Sequence, residues 1–240
     1  MKTAIIKTAS ATLSQKKAQY SCGTAFKTLA DIPTWPAYAK ENSYYLQKVA
    51  LAEPPKFSVA ADLNDRVSVF RGDITTLEVG AIVNAANASL MGGGGVDGAI
   101  HRAAGRELKA ECATLNGCAT GDAKMTGGHR LPAERVLHTV GPIGEHADKL
   151  ESCYATCLGL ARDAGARSIA FPCISTGVYG YPNKKAAVVA VATVRGFLDR
   201  HPDAFDRVIF CLFLSVDVEI YSQLLPIYFP LGDGEEVKKD

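Results

Sequence analysis

No apolar stretch of this chain approaches the roughly 18–20 residues that a helix needs to cross a bilayer, and no membrane partner is expected. Charge of one sign is lacking as well. The 240 residues hold 26 Lys+Arg against 25 Asp+Glu, a net +1. A nucleic-acid binder needs a concentrated cationic face, so direct nucleic-acid binding is not expected. Metal-ligand spacings are missing too. The seven cysteines, Cys22, Cys112, Cys118, Cys153, Cys157, Cys173 and Cys211, form no C-x-x-C, and there is no H-x-x-C or H-E-x-x-H. No structural zinc is expected from them. An odd count without regular spacing does not make a disulfide framework, and a reducing compartment fits best. Cys173 and Cys211 lie in apolar runs and read as small core residues. Acids are absent from residues 1–30, which hold five lysines, so the remainder carries a net −4. That start reads as a cationic tail. Its acid-free, Ser/Thr-rich character also suits an organelle transit segment, except that it has no Arg. The run Ala4-Ile5-Ile6 is too short for the apolar part of a secretory signal. An intracellular location is expected, cytoplasmic or nuclear, with a mitochondrial one left open.

What is present is the composition of a globular protein, 48% hydrophobic and 21% charged. The length suits one domain with an appendage, or two small domains, and can bury a sizeable core. Residues 31–63 carry the only Trp, Trp35, among prolines. One short helix, about Ala37–Ala50, fits there, in an arm that packs on the main domain to cover Trp35, Tyr45 and Leu46. From Arg66 the pattern becomes regular. Strands are predicted at 66–70, 81–85, 123–126, 135–139, 168–174 and 207–214. Helices are predicted at about 98–115, 149–164, 184–198 and 216–225. Strands alternating with helices imply βαβ units and a largely parallel sheet covered on both faces.

In such sheets ligands bind outside the carboxyl ends of the strands. The run Met91-Gly-Gly-Gly-Gly-Val-Asp-Gly98 follows the second strand. Gly93-x-Gly95-x-x-Gly98 matches the dinucleotide fingerprint. The acid expected about 20 residues on would be Glu111, inside a predicted helix, so a nicotinamide site is disfavoured. A P-loop fails because no Gly-Lys-Ser/Thr follows. Four glycines let backbone approach a ligand, and the following helix presents free N–H groups to an anion. Cys173-Ile-Ser-Thr-Gly-Val-Tyr-Gly180 is a second such loop, in which Ser175, Thr176 and the amides could hold phosphate oxygens and Tyr179 cover a sugar. Two phosphate-suited loops on neighbouring strand ends suggest a diphosphate between two walls.

Several segments in register then resemble macro domains of the MacroD type. They are Arg71-Gly-Asp-Ile74, Asn84-Ala-Ala-Asn-Ala-Ser-Leu90, Gly92 to Gly105, His138-Thr-Val-Gly-Pro142, Pro172 to Asn183 and Phe210-Cys-Leu-Phe213. The resemblance covers about residues 64–228. It leaves 1–63 as an N-terminal extension (a tail 1–30 and the arm 31–63) and 229–240 as a C-terminal tail. It implies a three-layer α/β/α fold with a mixed, largely parallel sheet that binds ADP-ribose. The implied activity is metal-free and cofactor-free hydrolysis of mono-ADP-ribosyl esters on Asp and Glu side chains, with deacetylation of O-acetyl-ADP-ribose beside it. A monomer acting on ADP-ribosylated proteins is expected; the alternative is a reader that binds ADP-ribose without turnover. By motif position, Asp73, with Ile74 beside it, matches the acceptor for the adenine amine, and Phe213 the aromatic against adenine. Gly94, Gly95 and Val96 match one diphosphate wall, and Ser175, Thr176, Gly177, Val178 and Tyr179 the other. Asn87, Asp97 and Tyr179 match the surroundings of the distal ribose, with Asp97 and Asn87 as the catalytic pair. A poly-ADP-ribose glycohydrolase is less favoured, since no Glu-Glu pair adjoins the glycine run. The clustered acids of the metal-dependent ADP-ribosylhydrolases are not evident.

These side chains also have plainer readings. Asp97 at a helix start can be an N-cap. Asn84 can satisfy backbone at the loop base, His101 can serve packing or a loop hydrogen bond, and His138, alternating in a strand, reads as a satisfied core histidine. Phe213, in an apolar run, can be core.

Overall fold

The computed structural model describes residues 16–51 and 53–232. Six strands form one sheet in the order β1-β6-β5-β2-β4-β3. They are β1 (Val67–Arg71), β2 (Ala81–Ala85), β3 (Ala123–Gly127), β4 (Arg135–Thr139), β5 (Ser168–Phe171) and β6 (Arg207–Leu212). Every pairing is parallel except β3 against β4. Eight helices flank it among the described residues. They are α1 (Trp35–Glu41), α2 (Ser43–Val49), α3 (Ala61–Asn64), α4 (Gly95–Ala104), α5 (Arg106–Thr114), α6 (Ala147–Asp163), α7 (Asn183–Arg200) and α8 (Ser215–Tyr228).

Alternation along the strands divides the core in two. Val83, Leu137, Ile169, Phe171, Val208 and Phe210 face a cluster with Leu158, Val191, Leu198 and Leu225, under α6, α7 and α8. Ile82, Val136, Ala170 and Ile209 face the other way, onto Ile100, Leu108 and Cys112 of α4 and α5. Strands buried on both faces explain the near-continuous apolar runs, and the layering is α/β/α. The chain leaves β2 toward α4 on one face and β5 toward α7 on the other. Adjacent strands whose connections diverge in this way create a crevice at their carboxyl ends. β2 and β5 share only two register positions, Ala81 with Ile169 and Ile82 with Ala170, so their ends are free to part.

Several boundaries differ from the sequence expectation. The helix placed at 98–115 is two helices, broken at Gly105, whose φ of +89° favours glycine. The first begins at Gly95. The helix placed at 37–50 is also two, parted at Asn42, whose side-chain amide donates to the Tyr38 carbonyl and ends the first. β5 stops at Phe171 because Pro172 has no N–H to continue the ladder. β6 stops at Leu212, which releases Phe213 and Leu214 from the sheet.

Residues 1–15 of the expected tail 1–30 lie outside the described residues. Beyond Lys16 the chain is docked. Tyr20 is buried and donates to Glu78 Oε1 at 2.9 Å, Lys17 pairs with Glu78 Oε2 at 3.0 Å, and Lys27 bridges Leu77. The expected C-terminal tail is likewise anchored at its start. Phe229 is buried, and its carbonyl accepts from Trp35 Nε1 at 2.9 Å. The Pro230 carbonyl accepts from Asn64 Nδ2 at 2.8 Å. Residues 233–240 lie outside the described residues. Trp35 is fully buried, and Tyr38 and Leu46 pack part-buried against the same core. Trp35→Phe keeps most of the packing and removes the donor to Phe229. Urea unfolding should show a loss of about 1 kcal/mol, the net worth of one such hydrogen bond.

Candidate active site

A cleft of about 670 Å³ opens over the carboxyl ends of β1, β6, β5 and β2, four neighbours in the sheet. All the residues selected from sequence line it: Asp73, Ile74, Asn87, Gly94, Gly95, Val96, Asp97, Ser175, Thr176, Gly177, Val178, Tyr179 and Phe213. They come from four connections separated by up to about 140 residues. Only the parallel topology brings them together.

One wall is the glycine loop. Gly94 is the N-cap of α4, extended at ψ −178°, with no side chain closing the helix end. The first-turn N–H groups are therefore available to an anion. Asp97 sits within that first turn and not at the cap, which removes its N-cap reading. The opposite wall is the 175–179 loop. Ser175 holds φ +67°, and its buried hydroxyl has no hydrogen-bond partner. Thr176 differs from expectation, because its hydroxyl donates to the Cys173 carbonyl at 3.1 Å and braces the loop. Gly144 N–H donates to the Tyr179 carbonyl at 2.7 Å, and Tyr181 N–H to the Ser175 carbonyl at 3.0 Å. Val178 is 97% exposed at the loop tip.

At the far end Asp73 Oδ1 accepts from Thr75 N–H at 2.9 Å and from its hydroxyl at 2.8 Å. That caps the short turn Ile74–Thr76 and sets the carboxylate at the cleft edge. Phe213 is 74% exposed, because the strand ends one residue before it, so the core reading of this ring fails.

The most unusual part of the site is buried. Asp97 Oδ1 accepts from Asn84 Nδ2 at 2.7 Å and lies 3.4 Å from His101 Nε2, while Oδ2 has no partner. Burial raises the Asp97 pKa; the Asn84 hydrogen bond and the His101 ring oppose that rise. Asn84 thus serves a carboxylate and not the loop backbone. It also meets His138 Nδ1 at 3.1 Å. The His138 Nε2 lies 2.9 Å from Thr126 Oγ1, so His138 is the satisfied core histidine expected. Burial pulls its pKa down to about 4, and burial also lowers that of His101. Neither His101 nitrogen has a hydrogen-bond partner. Asn87 spends its amide on the loop: Oδ1 accepts from Ser89 N–H at 3.0 Å and from the Ser89 hydroxyl, and Nδ2 donates to the Gly92 carbonyl at 3.0 Å. It braces the glycine run and has one N–H left for a ligand.

Some lining residues were not anticipated. Cys173 lines the cleft wall, part-buried and packed against the core beneath it; Cys211 is buried, as expected. Asp217 is buried and accepts from Asn183 Nδ2 at 2.7 Å. Arg102 is the one cation among the described lining residues. A Cβ at Gly141 would collide with the Ser175 hydroxyl, so this glycine seats the second wall. Its place in His138-Thr-Val-Gly-Pro142 was the available signal.

A Macro domain family model matches residues 83–190, the segment that holds both walls. The chain is 52% identical over 224 residues to the ADP-ribose glycohydrolase MACROD1 of Rattus norvegicus, covering 91% of this chain and 84% of that one. The chain belongs to the macro domain family, on its MacroD branch. This macro domain is also 47% identical to the ADP-ribose glycohydrolase MACROD2 of Mus musculus over 231 residues. That match covers 94% of this chain and 48% of the relative, so it spans about half of the relative's length. Among solved structures, a Trypanosoma brucei macrodomain in complex with ADP-ribose aligns with a TM-score of 0.69 and 36% identity, over 90% of this chain and 91% of that one. The same macrodomain in complex with ADP aligns with a TM-score of 0.71 and 41% identity, over 83% and 76%.

Proposed function

We propose that this macro domain hydrolyses the bond between mono-ADP-ribose and Glu or Asp side chains of proteins, and that it deacetylates O-acetyl-ADP-ribose in the same cleft. The observation that carries the reading is the Asp97 carboxylate. It is buried at the inner end of an anion-binding glycine wall, with one oxygen held and the other unpartnered. In this reading the adenine lies against Phe213, Ile74 and Asp73. The diphosphate lies between the first turn of α4 and the 175–179 loop, and the distal ribose lies over Asn87 and Asp97. Loop amides, not lysines, neutralise the phosphates, in keeping with a nearly neutral chain.

A water beside the diphosphate attacks C1″ of the distal ribose; its proton passes to Asp97 or to the substrate's own phosphate, and the C1″–O bond to the carboxylate breaks. In O-acetyl-ADP-ribose the water attacks the acetyl carbonyl instead, the acyl C–O bond breaks, and the departing ribose oxygen takes up the proton that the same group removed from the water. A carboxylate leaves as a stable anion and needs no proton. A serine or arginine linkage departs less readily and calls for a general acid. His101, the titratable group nearest Asp97, is held toward its neutral form by burial and is a poor source of that proton. The site therefore suits the acidic linkage.

The test is a release assay on carriers modified through different residues. ADP-ribose should be freed from Glu/Asp-linked carriers and from O-acetyl-ADP-ribose, and not from Ser- or Arg-linked carriers. Tight binding of ADP-ribose with no release from any linkage would make this chain a reader instead.

A further inference from the structure

We propose that His138 is a positioning residue that acts through Asn84. It fixes the Asn84 amide so that an N–H, and not the carbonyl, meets Asp97. This rests on Asp97 being the working carboxylate of the site.

The argument is one of donors and acceptors. Asn84 Nδ2 stands 2.7 Å from Asp97 Oδ1 and 3.1 Å from His138 Nδ1. An amide nitrogen has two hydrogens and no lone pair to share, so both partners must accept. A carboxylate always accepts. Imidazole Nδ1 accepts only in the neutral tautomer with its proton on Nε2. Here Nε2 lies 2.9 Å from Thr126 Oγ1, with Cys112 Sγ farther off at 3.6 Å, and the Thr126 hydroxyl donates to the Gly127 carbonyl at 3.2 Å. The Thr126 oxygen is left as an acceptor, which places the histidine proton on Nε2. The chain of donors then runs one way: from Asn84 to Nδ1, from Nε2–H to Thr126, and from Thr126 to backbone.

With the opposite tautomer, Nδ1–H would face the Asn84 amide donor. The amide would turn over and set its carbonyl against the Asp97 carboxylate, acceptor against acceptor. Nothing else holds the amide, since Asn84 Oδ1 has no partner. The β-sheet register fixes the parts. Asn84 is paired directly with His138 in the parallel β2–β4 ladder, and Thr126 sits on β3, which pairs antiparallel with β4. Asn84, Thr126, His138 and Asp97 are all buried. Four polar side chains in a core are costly unless connected in this way. The groups facing Asp97 are Asn84 from β2, His101 on its own helix and Cys112 from α5. His138 stands behind Asn84, Lys109 beside His101, and Glu111 beside Cys112.

Thr126→Val removes the acceptor at Nε2 with little change of shape. Its kcat on a Glu-linked carrier should fall about tenfold, the worth of a hydrogen bond to a charged group, with the ADP-ribose Kd held within about twofold. The acid limb of the kcat profile should move to higher pH, because Asp97 loses a donor. Thr126→Ser should restore both. Two NMR readings need no turnover. The ¹⁵N spectrum of the wild-type protein should show His138 unprotonated at Nδ1, and the Asp97 carboxyl carbon should titrate at higher pH in Thr126→Val. A protonated Nδ1 in the wild-type protein, or an unchanged Asp97 titration in Thr126→Val, overturns the proposal. If the wild-type protein releases ADP-ribose from no linkage, the hydrolase reading falls, and the two spectra still decide what His138 does.

Discussion

Asp97→Asn is expected to lower the turnover of a Glu-linked ADP-ribosyl carrier by about 10²–10⁴-fold, the usual worth of a general base. ADP-ribose should still bind, because the diphosphate is gripped by backbone amides on either side. Asparagine keeps the shape of the side chain and loses the charge and the proton-accepting oxygens. The wild-type pH profile belongs to the same prediction. Burial raises the Asp97 pKa, so the basic form is lost on acidification at a higher pH than for an ordinary carboxylate. Activity should fall on the acid side accordingly, and the limb should vanish in Asp97→Asn. Stability should move the other way. A carboxyl whose pKa is raised by folding binds its proton more tightly in the folded chain. Folding stability contributed by that proton is present at low pH and is lost as pH rises from the unfolded pKa through the folded one. At neutral pH the buried charge is a burden, and Asp97→Asn should match or exceed the wild-type Tm. Turnover within about twofold of wild type would remove Asp97 from the chemistry, since a base is worth far more than that.

Gly98→Val is expected to cost on the order of a hundredfold in ADP-ribose affinity. Gly98 lies one turn into α4, and a Cβ there would stand 2.5 Å from the Gly93 carbonyl oxygen. That oxygen is backbone and cannot swing aside as a side chain can. Gly93 is itself enclosed, since a Cβ on it would stand 3.1 Å from both Asn87 Nδ2 and Asp97 Oδ2. Pushing the Gly93 carbonyl therefore displaces the glycine wall and disturbs Asn87 and Asp97 together. Overpacking costs about 1–3 kcal/mol, and a branched side chain belongs at the upper end. Spent on a binding wall, about 3 kcal/mol is a little over a hundredfold in Kd. Titration calorimetry with ADP-ribose reads this directly. A thermal melt shows whether the cost has gone into the whole fold instead. Gly159→Ala, on α6 and outside the cleft lining, is the control: no heavy atom lies within 4 Å of the added carbon, and the change should be small.

Strand positions were largely legible in the sequence, because strands buried on both faces leave apolar runs that few other structures produce. The breaks were harder to see. Gly105 looked like one more small residue in a helical stretch, and only its positive φ makes it a corner. Lys17, Tyr20 and Lys27 read as part of a cationic tail, because lysine count says nothing about a waiting acceptor. Glu78, which takes both Lys17 and Tyr20, lies about 60 residues away. The cleft residues were legible by motif, since each loop carries its own glycines and turn residues. The support beneath them was not. Asn84, His138 and Thr126 meet only through the register of β2, β4 and β3. A single sequence contains no mark of which strand neighbours which. Phe213 was legible as a residue of interest, and its exposure followed only from where the strand ends.

The most direct test is a crystal structure of the Asp97→Asn protein with ADP-ribose. The expected result is a diphosphate hydrogen-bonded to the first-turn amides of α4 and to the 175–179 loop. The adenine should pack on Phe213 with its amine at Asp73, and the distal ribose C1″ should lie beside residue 97. A nucleotide bound with its distal ribose turned away from residue 97, or seated outside this cleft, would contradict the assignment of the site.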